Sequence, residues 1–229
     1  PAPPLLHQGS SLDAVRLPRP EPDAPDPGFF SVLEQRRSHR RPGRQPPTLQ
    51  QLGQLLWASL RIREVVPAKP GMAHSYEAAS RPVACGGAMQ EIDTYLVIQR
   101  CDGVAAGVYR YDPQAHQLLR LDALNNACKQ LLQNSCHSSG AEQPPDVLFQ
   151  FAARYGRLSW KYEGLVYALI LKHVGGIMQQ LYLVATALNL APCSLGSGDS
   201  ELFARATSLD PWTDACVGEL MLSSYSEGD

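Results

Sequence analysis

The sequence predicts an α+β fold, with helices wrapped about a small, mostly antiparallel central sheet. Three observations lead there. TYLVIQR at 94–100 and GVYRYD at 107–112 are rich in β-branched and aromatic residues and flank an Asp102-Gly103 turn, which reads as a β-hairpin. DVLFQFAA at 146–153, bounded by Pro144-Pro145, is a further strand. A long apolar helix follows, about seven turns from Gly164 to Leu190.

The remaining elements follow in order. Residues 1–27 carry frequent proline and little periodicity, so an extended arm or linker is expected there and the folded domain over 28–224. GFFSVLEQRRS begins a helix with Phe30, Val32 and Leu33 on its buried side. A second helix has a clear start, Thr48 after Pro46-Pro47, with Leu49, Leu52, Leu55 and Leu56 at helical spacing. Residues 61–92 bear glycine and proline and read as irregular, ending in RPVACGGAMQEI. After the hairpin, Leu118 to Leu132 is expected to be helix. The 164–190 helix is apolar on most faces and so must be buried nearly all round, in the middle of a domain or at a dimer interface. SLGSGDS at 194–200 is a glycine-rich turn that closes it. A short helix near 200–208 and a last strand, CVGELML at 216–222, complete the order.

Composition limits the function classes. The chain has 229 residues, 44% hydrophobic and 18% charged, enough for one well-filled globular domain. A net charge of −2 with mostly scattered basic residues gives nucleic acid nothing to bind. The six cysteines show no zinc-ligand spacing with the histidines, so no metal is expected. Without a signal-peptide pattern they read as reduced thiols of a cytoplasmic protein. The apolar stretch 164–171 runs into Lys172, His173, Gln179 and Gln180, which speaks against a membrane span. The proline-rich start without methionine suits a domain taken from a longer polypeptide.

Four motifs have chemistry to offer, and each also has a plain alternative. Lys161 and Tyr162, side by side at the door of the apolar helix, are either a solvated helix start or two proton-handling groups aimed into a pocket. In RRSHR, Arg36, Arg37, Ser38 and Arg40 could converge on one phosphate, or form a wet basic patch. In ACGGAMQEI, Cys85, Gly86 and Gly87 would let a backbone pass close to a flat ligand, or simply make a turn. In LGSGD, the backbone N–H groups of Gly196, Ser197 and Gly198 could meet a ring nitrogen or carbonyl, or serve as a helix stop. His173 reads as a satisfied core histidine, and Glu91 and Tyr95 as structural.

Taken together and in this order, RRSHR, LQQLGQLLWAS, RPVACGGAMQEIDTYLVIQR, GVYRYD, WKYEGLVYALILKHVG and LYLVATALNLAPCSLGSGDSELF resemble the nitroreductase family over residues 28–223. More narrowly they are similar to the SagB-type dehydrogenases, flavin enzymes that oxidise thiazolines and oxazolines to thiazoles and oxazoles. These act on ribosomal peptides or as oxidase domains of nonribosomal peptide synthetases. The resemblance implies a nitroreductase-like fold and an FMN-dependent homodimer with the flavin at the subunit interface and the long helix as dimer core. It assigns Arg36, Arg37, Ser38 and Arg40 to the phosphate, and Cys85, Gly86 and Gly87 to a place along the flavin. Gly196, Ser197 and Gly198 would reach the ring from the partner chain, and Lys161 and Tyr162 would be the catalytic pair. The chain departs from many relatives in having Ala84-Cys85 where they have Pro-Ser, and a thiol is the weaker donor.

On that resemblance the substrate is a peptidyl azoline carried on a carrier protein, in natural-product biosynthesis, with molecular oxygen as electron acceptor. One hydride leaves for the flavin and one proton leaves with it. Burial of Lys161 is expected to lower its pKa toward the working range of a base, with Tyr162 relaying a proton. Two other readings compete: an NAD(P)H-dependent quinone or nitroaromatic reductase, against which the Lys-Tyr pair speaks, and a flavin-free docking subunit, against which RRSHR speaks as well.

Overall fold

The computed structural model describes residues 2–21, 27–72 and 74–225. Its elements run β1 Asp13–Arg16, α1 Phe29–Gln35, α2 Leu49–Leu60, β2 Glu64–Val66, β3 Ala78–Ser80, β4 Ile92–Ile98, β5 Gly107–Asp112 and β6 Gln117–Asp122. They continue with α3 Asn126–Ser139, β7 Val147–Arg154, α4 Gly156–Tyr162, α5 Val166–Ala187, β8 Leu190–Leu195, α6 Ser200–Thr207 and β9 Asp214–Ser224. Seven strands form one sheet in the order β1-β6-β5-β4-β7-β9-β8, and every ladder in it is antiparallel. The expected α+β architecture is therefore the observed one.

Alternation along the strands sorts side chains to two faces. Leu96, Ile98, Phe149, Phe151, Leu220 and Leu222 point to one face, where α2 and α5 add Leu52, Leu56, Ile170, Val174, Ile177 and Leu181. Val97, Val108, Leu148 and Met221 point to the other, against Leu131 and Leu132 of α3 and Leu202 and Ala206 of α6. The result is a helix–sheet–helix sandwich. At Gly218 the helix α5 comes so close to β9 that an added Cβ would lie 2.6 Å from both Val174 and Met178.

Several boundaries differ from expectation, each for a physical reason. Leu118–Leu132 is not one helix: Gln117–Asp122 pairs with both β5 and β1. The helix starts only after Asn125, whose side chain accepts the Cys128 N–H as an N-cap. The helix expected over 164–190 runs from Val166 to Ala187, set off from α4 by Glu163 (φ 39°) and followed by a turn at Asn189 (φ 53°) that leads into β8. Of the expected buried side of α1, Val32 is buried whereas Phe30 is 79% and Leu33 39% exposed. Nor is the long helix buried all round within one chain: Leu165, Tyr167 and Leu171 on its outer side are 63%, 61% and 44% exposed. A window within Gly156–Ala187 is long and apolar enough to cross a membrane by composition, but its other face is core against the sheet.

The described part of the arm is partly integrated into the domain. Its residues 13–16 add β1 to the sheet, and Leu5 and Leu17 are buried. Pro1 and residues 22–26 of the arm lie outside the described residues, as does residue 73 of the stretch expected to be irregular. Elsewhere in that stretch β2 and β3 form a small separate ladder. All six cysteines are free thiols.

At α2 the expected start is a full capping box: the Thr48 hydroxyl accepts the Gln51 N–H while the Gln51 side chain accepts the Thr48 N–H. Thr48→Ala is expected to cost about 1 kcal/mol, read as a lower urea midpoint with an unchanged slope.

Candidate active site

Helix α4 delivers the Lys-Tyr pair to the turn that contains the double glycine. The Lys161 ammonium donates to the Tyr76 hydroxyl at 3.1 Å, and that hydroxyl donates to the Gly87 carbonyl at 2.9 Å. Lys161 Nζ also lies 4.6 Å from the Tyr76 ring centre and 5.5 Å from that of Tyr162. A Cβ on Gly87 would come 2.8 Å from Tyr76 Oη, 3.0 Å from Tyr162 Oη and 3.7 Å from Lys161 Nζ. Only glycine fits there, both for space and for its φ of 62°. Two motifs 74 residues apart, taken from Gly87 to Lys161, thus meet at one corner.

Within one chain the electrostatics of Lys161 favour its charged form. The side chain is exposed in the chain, and its hydrogen bond to Tyr76 raises the pKa above the ordinary lysine value. Burial was to make it a base; instead Tyr76 stabilises the ammonium, so at neutral pH it is a donor.

Beneath the turn lies a second layer, built on α5. The Gly86 N–H donates to His173 Nε2 at 2.9 Å, and His173 Nδ1 meets Glu91 Oε1 at 2.5 Å. The Cys85 thiol donates to the other Glu91 oxygen at 3.1 Å and accepts the Gln90 N–H at 3.2 Å. Cys85 and Glu91 raise the imidazole pKa above its ordinary value, while the bonds from His173 and Cys85 more than offset burial and hold Glu91 below its usual value. The Gly86 N–H works against a proton on Nε2, since only a lone pair can accept it. Hydrogen on Nδ1 and a lone pair on Nε2 satisfy every bond, so the geometry holds the neutral tautomer.

The same point bears on metal binding. Cys85, Glu91 and His173 bring ligand atoms within 4.8 Å of one another. A metal on Nδ1 would put the hydrogen on Nε2, facing the Gly86 N–H, whereas metal-bound imidazoles donate through their second nitrogen. The cluster is built for hydrogen bonding. Ala88 (φ 53°) and Gln90 (φ 55°) complete a turn with two non-glycine residues in the left-handed region, each costing about 1–2 kcal/mol.

The basic run sits elsewhere. The hydroxyls of Ser38 and Tyr182 share a hydrogen bond of 2.7 Å, and the Ser194 N–H donates to Tyr182 Oη at 2.8 Å. Arg36 lies over the Tyr182 ring at 5.3 Å, and the His39 N–H reaches the Pro192 carbonyl at 2.9 Å. RRSHR is thereby tied to the far end of α5 and to β8. Along the helix, Tyr182 is about 14 Å from His173. No carboxylate among the described residues pairs with Arg36, Arg37 or Arg40. The loop with Gly196, Ser197 and Gly198 continues from β8, and its Ser197 hydroxyl contacts Ser138 of α3. It borders a cavity of about 590 Å³ that includes Asn134, His137 and Glu219. Within one chain, then, RRSHR and the end of β8 at Ser194 form one group, Cys85–Gly87 with Lys161–Tyr162 another, and Gly196–Gly198 lie apart against α3 and Glu219. Sequence reasoning missed Tyr76, which sits in a stretch without periodicity; it read His173 and Glu91 as structural, and both brace the glycine turn.

Glu219 is buried under Gly198 and accepts from the Gln150 amide at 2.9 Å. Burial lifts its pKa to about 7. The folded chain therefore holds this proton more tightly than the unfolded one, and raising the pH through the window strips it and costs stability. Unfolding free energy is expected to fall by on the order of 3 kcal/mol between about pH 4 and about pH 8 from this group. Glu219→Gln, followed by urea titration at each pH, should flatten that segment.

The fold and its two groups can be set beside known proteins. Residues 33–222 match the nitroreductase family. A nitroreductase structure from Ralstonia eutropha superposes with a TM-score of 0.73 at 20% identity, covering 99% of both chains. A chain of the E. coli microcin synthetase McbBCD complex, solved with truncated pro-MccB17 bound, gives 0.63 at 19% identity over 90% of this chain and 77% of its own. A nitroreductase from Desulfovibrio desulfuricans in complex with FMN gives 0.54 at 15% identity over 90% and 93%. With the family match spanning most of its length, the chain belongs to the nitroreductase family.

Proposed function

We propose that the chain is an FMN-dependent oxidoreductase that converts thiazoline or oxazoline rings to thiazoles or oxazoles on a peptide held by a carrier protein, as a homodimer. The observation that carries the reading is the convergence of Lys161, Tyr76 and Tyr162 on Gly87. Support also comes from the shared fold of the microcin synthetase chain with its bound precursor and of the FMN-bound nitroreductase.

The donor set suits FMN. Arg36, Arg37 and Arg40 offer guanidinium groups that no described carboxylate takes up, which is what a phosphate monoester requires, and Ser38 adds a hydroxyl. At Gly86 and Gly87 the space a side chain would take is filled by His173 and by the Tyr76 and Tyr162 hydroxyls, so a flat ring would meet this turn from its other side. Because the phosphate group and the Gly-Lys group lie at opposite ends of α5, a two-fold partner would set the ends from two chains together. The exposed Tyr167 and Leu171 of α5, with Phe29 and Phe30 of α1, are the apolar surface for that contact.

Bound FMN would supply the hydride acceptor, with molecular oxygen as the final oxidant. The chain's own residues handle the rest. Lys161 donates to the azoline ring nitrogen and draws charge from the carbon beside it as that carbon loses its proton. Tyr162, its hydroxyl over Gly87, takes up that proton as it passes its own to solvent water. Tyr76 aims the ammonium. The six free thiols suit a reducing, cytoplasmic setting.

Anaerobic addition of a thiazoline thioester is expected to bleach the protein-bound flavin with formation of the thiazole. Bleaching by NADPH alone, with the thiazoline inert, would instead make the chain a quinone or nitroaromatic reductase. Lys161→Ala is expected to retain FMN and lose about 10²–10⁴ in turnover; full activity in this variant sinks the assignment. Leu171→Glu should elute as a monomer on size exclusion and lose flavin.

A further inference from the structure

The turn Cys85–Gln90 holds glycine-type backbone at Ala88 and Gln90, so something outside it must fix its shape. On one side that is His173, through the Gly86 N–H. On the other side it is Arg157. This side chain is 1% exposed and has no carboxylate partner among the described residues. Its guanidinium donates twice to the Met89 carbonyl, from Nε at 3.0 Å and from Nη2 at 2.6 Å. It also donates to the Glu77 carbonyl at 2.9 Å and to the Pro3 carbonyl. Three separate segments end on one fork of donors: the N-terminal arm, the stretch that carries Tyr76, and the glycine turn.

Arg157 and Lys161 are both on α4, four residues apart and so on the same face, about 6 Å from each other along the axis. A rigid helix therefore presents the brace and the ammonium one turn apart. The Arg157 end fixes where Met89 and Glu77 stand, and the Lys161 end meets Tyr76 and Gly87, which neighbour them in sequence. We infer that Arg157 is the positioning residue of this corner: its buried guanidinium sets the Gly86–Gly87 turn and Tyr76 in register with Lys161. The arm takes part, since Arg154 holds the Pro4 and Leu5 carbonyls and the Leu5 N–H donates to Glu77. Lysine could not replace this arginine, because an ammonium on a single stem cannot reach three carbonyls held at a planar fork.

The inference rests on the reading of this corner as the reactive site, so its test needs a readout apart from turnover. Cys85 supplies one, because its thiol is held inside the turn by Glu91 and the Gln90 N–H. Alkylation of Cys85 by iodoacetamide, measured on its peptide by mass spectrometry, is to be compared in wild type, Arg157→Met and Arg157→Lys under conditions where each remains folded. Both variants are expected to react on the order of tenfold faster. Both should keep FMN, bound by its phosphate at the other end of α5, and lose about a hundredfold in kcat for azoline oxidation with a smaller change in KM. Wild-type alkylation rates in Arg157→Lys, or in Arg157→Met where that variant folds, overturn the inference. Faster alkylation with unaltered oxidation supports the brace and overturns the functional reading of the corner.

Discussion

Helix α5 against the sheet is the contact on which the rest of the molecule depends. It needs Gly218, since any side chain there would strike Val174 and Met178 and lift the helix off β9. Because it is held so closely, α5 acts as a ruler: His173 near its start supports the glycine turn, and Tyr182 near its end gathers Ser38 and Ser194. Packing with no polar content thereby fixes the spacing of two polar groups. A slip by one residue along the helix would rotate both by about 100° and separate each from its partners.

The corner at Gly87 shows a division of labour between layers. The upper layer is exposed and cationic, with Lys161 kept charged by Tyr76. The lower layer is enclosed, its imidazole bridging one carboxylate and one backbone N–H. Low exposure strengthens the lower bonds, while openness leaves the upper donors free for a ligand. Strain in the turn between them is tolerated because the enclosed layer over-determines its shape.

Much of this was legible in the sequence, and the limits were physical. The Thr48 start of α2, the Asp102-Gly103 hairpin and the alternation in 146–153 were readable because local chemistry decides them. Leu118–Leu132 was misread because QLLRLD has apolar residues that suit either period, and only pairing with β5 and β1 makes it a strand. The Lys-Tyr and double-glycine motifs were identified individually, and their meeting is a tertiary fact. Tyr76 and Arg157 left no trace in the sequence: one lies in aperiodic chain and the other resembles any surface arginine. Within one chain Lys161 is exposed and answers to a phenol, whereas the expected fall in its pKa presumed burial at a dimer interface.

The arm that reads as a linker also changes the outline of the sheet. Without β1, strand β6 would be an edge of six residues with free backbone donors and acceptors and with Leu118 and Leu119 along it. That is a template onto which another chain could add. Asp13–Arg16 covers it with a strand of only four residues that begins and ends in charge, too short and too charged to recruit the next chain. Residues 13–16 thus act as a selvedge that keeps the sheet from growing into an aggregate.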